Sequence, residues 1–178
     1  MNRFRKSLAA VGAVVALATA AVVTQQSVGT AQPAVPPDFA VAHLNTQVNL
    51  PNGAWTDTPL TVTLPWPGTY ALDADVRGRL SGTPNVNAYI TARLWNDTTG
   101  AAVPFSERIV NQIIDLNAGD AITGSNQTAP ISELISVTGA TTIRVQARRI
   151  DAVGAANIAQ IYSDAAGYTS LRYERLSP

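Results

Sequence analysis

The chain contains no cysteine and a single histidine, His43. Without cysteine there is no disulfide framework, no thiolate zinc or iron–sulfur site, and no cysteine nucleophile. A bacterial lipoprotein anchor is excluded as well, because it needs a thiol to carry the lipid. One imidazole rules out histidine-cluster metal sites. Charge is also scarce: Asp, Glu, Lys and Arg make up 13% of the chain, about half the usual share for a soluble domain. Twelve basic residues balance twelve acidic ones, so no basic field points to nucleic acid. Gly-rich phosphate loops and dinucleotide fingerprints are missing. Helical periodicity is missing too: no segment after Asp38 repeats its apolar residues every 3.6 positions.

What is present begins with an address. Arg3, Arg5 and Lys6 precede an apolar run, Leu8–Val23, and a short polar stretch. Charged start, apolar middle and small-residue end describe a secretory signal peptide over residues 1–31. Gly29-Thr30-Ala31 places small residues for cleavage after Ala31; Ala18-Thr19-Ala20 also fits but lies inside the apolar run. The run is Ala-rich, interrupted by Gly12 and Thr19, and shorter than the roughly 20 apolar residues of a spanning helix. The expectation is therefore a secreted protein with no stable membrane insertion after cleavage. Residues 32–37 (QPAVPP) read as a short stiff linker. Setting aside the three leading cations leaves nine basic residues against twelve acidic ones, a net charge of −3. The 141 residues from Asp38 to Pro178 are enough for one domain with a real core.

That domain alternates with a period of two. Tyr70, Leu72, Ala74, Val76 and Leu80 share one face of a strand, with Gly78 in register; Asp73, Asp75, Arg77 and Arg79 share the other. This is a strand with one dry face and one wet face. Val86–Trp95 repeats the pattern, with Val86, Ala88, Ile90, Ala92 and Leu94 against Asn87, Tyr89, Thr91, Arg93 and Trp95. Asn96–Gly100 is a turn by composition, and Ala101–Ile114 reads as its return strand. Ile143, Val145 and Ala147 alternate with Arg144, Gln146 and Arg148. Ile158–Ser163 and Thr169–Leu176 complete the set, and Phe39–Leu50 and Leu60–Leu64 open it. Ile131–Ile135 reads as a short helical turn. Many short strands between Gly, Pro, Asn and Asp turns describe an all-β sandwich or barrel.

Each chemistry-bearing group has a plain structural alternative. His43 lies in an N-terminal strand with no G-x-S-x-G nearby, and reads as a sheet or interface histidine. Asp73 and Asp75 lie about 7 Å apart by strand rise, within the separation of a glycosidase pair. Arg77 and Arg79 continue that face, which makes it a solvated or subunit-facing charge row. Asp115–Asp120 departs from the calcium-loop pattern in its glycine and in Asn126, where a glutamate is needed; an ordinary Asx turn is expected, with a loop calcium site as its alternative and no other cofactor. Asn96-Asp97-Thr98 and Asn126-Gln127-Thr128 match glycosylation sequons. Trp95 and Tyr89 form an outward aromatic pair, suited to a sugar ring or a neighbouring subunit. Trp55 and Trp66 lie in Pro/Gly-rich turns and are expected to plug the ends of the sandwich. The ligand or interface candidates are thus Trp95, Tyr89, Arg93, Asp73, Asp75 and Arg77.

Three stretches, in order, resemble the tumour necrosis factor-like jelly-roll superfamily, which includes the complement globular head. Val62–Leu72 (VTLPWPGTYAL) resembles its P-x-x-G-x-Y strand, with Leu72 at the usual aromatic position. Ile131–Val145 is similar to its turn-then-strand segment, with Ala140 where Asp is common. Thr169–Leu176 looks like the closing strand of bacterial and phage-tail members. No collagen-like stalk precedes the domain. The resemblance implies a ten-stranded antiparallel jelly-roll sandwich that assembles as a compact homotrimer. It also implies a non-catalytic module that binds proteins or glycans. The competing expectations are a monomeric carbohydrate-binding domain built on Trp95 and Tyr89, and a small secreted glycoside hydrolase built on Asp73 and Asp75.

Overall fold

The structure, a computed structural model, describes residues 37–178. The expected signal peptide and all but the last residue of the linker lie outside them. Among the described residues the chain runs β1 (Phe39–His43), β2 (Val48–Asn49), β3 (Thr56–Leu64), β4 (Gly68–Gly82), β5 (Val86–Asn96), β6 (Ala101–Ala102), β7 (Arg108–Asp115), β8 (Thr123–Val137), β9 (Thr141–Val153), β10 (Ala156–Ile161) and β11 (Ser170–Ser177).

These segments form two antiparallel sheets. In the first, the fifteen residues of β4 pair with β8 along their whole length, Gly68 with Val137 through to Gly82 with Thr123. The other edge of β4 is shared end to end by β11 and β10, which in turn pair with β1 and β2. In the second sheet β3 pairs β9, β9 pairs β5, and β5 is flanked by β6 and β7. The eleven segments therefore lie in eight rows, four per sheet. The first sheet runs β1/β2, β10/β11, β4, β8; the second runs β3, β9, β5, β6/β7. Rows that follow one another in sequence mostly change sheet, which is the double Greek key of a jelly roll.

The dry faces meet in one core. Tyr70, Leu72, Ala74, Val76 and Leu80 from β4 pack with Ala88, Ile90 and Leu94 from β5 and Ile143 and Val145 from β9, all essentially excluded from solvent. The alternation of β4 and β5 is thus the division between core and surface. Near the start of β4 the Tyr70 hydroxyl donates to the Trp66 carbonyl at 2.9 Å and accepts from the Trp66 amide at 3.2 Å. One buried phenol thereby fastens the Trp66-Pro67-Gly68 corner. Gly68 needs its φ of +146° there, where a Cβ would lie 2.3 Å from the Ser177 carbonyl oxygen.

Three sequence expectations change. Ala101–Ile114 is not one strand: after β6 the chain leaves the sheet at Pro104, passes through Phe105 at φ +61°, and re-enters as β7. Proline has no ladder donor and a positive φ breaks the pleat. Ile131–Ile135 is no helical turn but the middle of β8, paired residue for residue with β4. Phe39–Leu50 divides into β1 and β2, separated by residues 44–47.

The two sheets are tied at one edge by a polar pin. The β5–β7 register slips by one between Ile90 and Thr91, and this bulge turns Val110 and Asn111 inward together. The Asn111 amide donates to the carbonyls of Gly78 on β4 (3.0 Å) and Ser125 on β8 (2.9 Å), and accepts from the Ser125 hydroxyl at 2.7 Å. Gly78 is required for that approach, since a Cβ would sit 2.9 Å from a Val110 methyl.

Candidate functional site

The outer face of the second sheet carries a stacked cluster of arginine and tryptophan. Arg93 and Trp95 alternate outward on β5, and Trp55 folds over them from the residue preceding β3. The Arg93 guanidinium lies 3.9 Å from the Trp55 ring centroid and 4.6 Å from that of Trp95. Arg148, on β9, stacks on Trp55 as well, at 4.5 Å. Guanidinium groups are attracted to indole faces by the ring quadrupole. Both tryptophans are half-buried by this packing.

Hydrogen bonds fix the cluster. Arg93 Nε donates to Gln146 Oε1 at 2.9 Å, and Gln146 Nε2 donates to Asp57 Oδ1 at 2.6 Å. The amide thus relays a carboxylate to the arginine across three strands. Arg148 donates to Thr91 Oγ1 and pairs with Glu107 at 2.8 Å. Arg144 grips Asp97 through Nε and Nη2. That bond holds the Arg144 proton more tightly than usual, whereas burial acts first on Arg93 and lowers its proton affinity.

Beside Arg93 an open cavity of about 460 Å³ is walled by Val103, Pro104, Phe105, Glu107 and Arg108. Its rim is a pinned loop. Ser106, fully buried, donates to the Val103 carbonyl at 2.7 Å and accepts from the Leu94 amide at 3.1 Å. Arg108 donates to the Phe105 carbonyl. The loop therefore presents Phe105, 87% exposed, to solvent.

The outer face of the first sheet is of a different kind. Direct cross-strand partners make a row Phe39, Glu174, Ala71, Leu134 and a second row Val41, Arg172, Asp73, Ser132. Phe39, Val41 and Leu134 are exposed. Open grooves of about 480 and 410 Å³ flank the rows, between β1 and β11 and between β4 and β8.

The expected candidates are divided between these faces. Arg93 and Trp95 sit together in the stacked cluster. Tyr89 is on the same strand face, but six residues of strand separate it from Trp95 by about 20 Å, so the two do not form a pair. Trp95 is matched instead by Trp55, which stacks on the sheet rather than plugging an end; Trp66, 40% exposed, plugs none either. Asp73 and Asp75 share the first sheet's outer face. Asp73 accepts from Ser132 at 2.6 Å and pairs with Arg172 at 3.5 Å. Arg77 turns aside to fasten the 164–167 turn, pairing with Asp164 at 2.6 Å and donating to the Gly167 carbonyl. His43 packs edge-on against Tyr168 at 5.6 Å between centroids. Asp115 caps its own turn, accepting from the Asn117 amide. Among the described residues no three His, Asp or Glu side chains gather as a metal site. Trp55, Gln146, Arg148 and Phe105 were not legible as a site, because only the β3–β9–β5 pairing brings them together.

Comparison with known proteins finds no matching protein family and no matching curated protein. Among solved structures, the Gx strain of infectious bursal disease virus gives a TM-score of 0.44 at 14% identity, over 76% of this chain and 31% of that one. The VP2 subviral particle of the same virus gives 0.41 at 11% identity, over 76% and 32%. The chain spans about a third of the length of these proteins. At such scores the likeness adds nothing to the strand order read from the chain itself. The class is an all-β, antiparallel jelly-roll sandwich.

Proposed function

We propose that the chain is a secreted, non-catalytic binding module of the tumour necrosis factor-like type, which assembles with copies of itself as a trimer. Assembly uses the outer face of the first sheet, and the second sheet's outer face is left for recognition. The observation that carries this reading is the exposure of large apolar side chains on the outer face of the first sheet, Phe39 at 71%, Val41 at 56% and Leu134 at 66%. Large apolar side chains left exposed on one sheet face are a mark of protein contact. Closed cyclic symmetry is the common way for copies to satisfy such surface, and in a three-fold ring this face of one copy meets a different patch of the next. Asp73 supports a non-catalytic reading, because its carboxylate is tied to Ser132 and Arg172.

The test is the solution mass of Gln32–Pro178 by light scattering behind a sizing column. A mass near three chains that persists on dilution, and falls to one chain in a Phe39→Asp/Leu134→Asp variant of unchanged circular dichroism, is expected. A clean monomer at all concentrations refutes it.

A further inference from the structure

Nine arginines lie among the described residues. Eight of them form ion pairs of 2.6 to 3.7 Å: Arg77, Arg79, Arg108, Arg144, Arg148, Arg149, Arg172 and Arg175. Arg93 forms none. Its Nε is taken by Gln146, and among the described residues no acceptor meets its two terminal nitrogens. The indoles of Trp55 and Trp95 lie against its π surface, so what remains free is the in-plane pair of terminal N–H groups, on a residue that also lines the cavity. A planar fork of this type is matched by an oxyanion with two coplanar oxygens.

The surroundings narrow the anion. Arg148 is already balanced by Glu107, and Arg108 by Glu133. Asp57 reaches Arg93 only through the Gln146 amide, so Arg93 keeps no direct carboxylate partner, while Asp57 and the Glu107 on the cavity wall already offset much of the local positive charge. A monoanion fits this better than a phosphate dianion, which Glu107 repels. The rest of the ligand must meet Phe105, an aromatic ring held out in water by a left-handed backbone and a hydrogen-bonded loop. An exposed, fixed aromatic face is suited to the C–H face of a pyranose, and the polar rim to its hydroxyl groups.

We propose that the Arg93–Phe105 cavity binds the uronate unit of an acidic polysaccharide, the carboxylate bridging the Arg93 fork and the sugar ring stacking on Phe105. The inference rests on the reading of the second sheet as the recognition face and is independent of the oligomeric state.

Trp55 and Trp95 make the site report on itself. Titration of Gln32–Pro178 with oligogalacturonate is followed by tryptophan fluorescence in a Trp66→Phe background, beside the methyl-esterified oligomer as a neutral twin. Saturable change with the acid, weakened about tenfold or more with the ester, is expected for loss of a charge-assisted pair. Arg93→Gln and Arg93→Lys should each weaken the acid by a similar factor. Phe105→Ala, an exposed position whose loss leaves the core intact, should weaken acid and ester alike. Equal binding of acid and ester overturns the carboxylate assignment while leaving a glycan-recognition face standing. Absence of any fluorescence response to either oligomer, or binding untouched by both Arg93→Gln and Phe105→Ala, overturns the site. Arg93-dependent binding of a peptide C-terminus with none of the sugar acid reassigns the cavity to a protein partner and overturns the sugar.

Discussion

Removing the Asn111 amide should cost far more than its single polar side chain implies, because it joins three strands in two sheets. Asn111→Ala deletes its donations to Gly78 and Ser125 and its acceptance from the Ser125 hydroxyl. At about 1 kcal/mol for each net hydrogen bond the loss is about 3 kcal/mol. That is a large part of the 5–15 kcal/mol available to a domain of ordinary stability, on the order of one third. The melting temperature should drop by about 10 °C, at about 3 °C per kcal/mol for a domain of this length. Urea unfolding followed by tryptophan fluorescence gives the free energy directly. Two further variants separate bonding from packing. Asn111→Leu keeps the volume and leaves two carbonyls without their donor, so it should not restore stability. Ser125→Ala should cost about 1 kcal/mol alone and almost nothing when added to Asn111→Ala, since the bond is already gone. A loss below about 1 kcal/mol in Asn111→Ala, no larger than in the exposed control Gln112→Ala, refutes the pin.

Gly78→Ala should destabilise by about 1–3 kcal/mol through overpacking against Val110, with the loss measured by the same urea titration. Tyr70→Phe keeps the buried ring but releases the Trp66 corner, and thermal unfolding should register about 1–2 kcal/mol. The Asp164 carboxyl is held below the usual carboxylate range, first by its bond from Arg77 and then by the Ala166 amide. A depressed carboxyl stabilises the fold above its unfolded pKa and loses that contribution as pH falls through its folded value. The melting temperature of the wild-type chain should therefore fall more steeply in acid than that of Asp164→Asn. Parallel acid limbs in the two proteins would contradict this.

The sandwich was legible because its two central strands alternate so cleanly. Each inward residue of β4 from Tyr70 to Leu80 is buried, and Gly78 keeps the register without a side chain. Where a third requirement intervened, alternation misled. Val110 and Asn111 point inward together because a bulge places the pin, and no period of two contains a bulge. β8 was hidden for a related reason. It is an edge strand with Gly124, Asn126, Gln127 and Pro130 on its sequence, a composition that reads as loop. Its ladder to β4 is what makes it a strand, and an edge position tolerates Pro130.

Site legibility followed the same division between local and cross-strand information. Arg93 and Trp95 are two apart on one strand, so their shared face could be read from the sequence. Trp55 is 38 residues before Arg93 and reaches it only because β3 pairs β9 and β9 pairs β5. The same topology explains why Arg77 ceased to be a surface candidate. Its neighbours on the strand, Asp75 and Arg79, point to a wet row, but β10 and β11 bring the Asp164–Gly167 turn onto it from nearly ninety positions away. Alternation tells which side of a sheet a residue faces; the strand order tells whether it is spent on the fold or left over. By that criterion the arginine to watch is Arg93, which the sheet stacks and orients yet leaves without a direct carboxylate partner among the described residues.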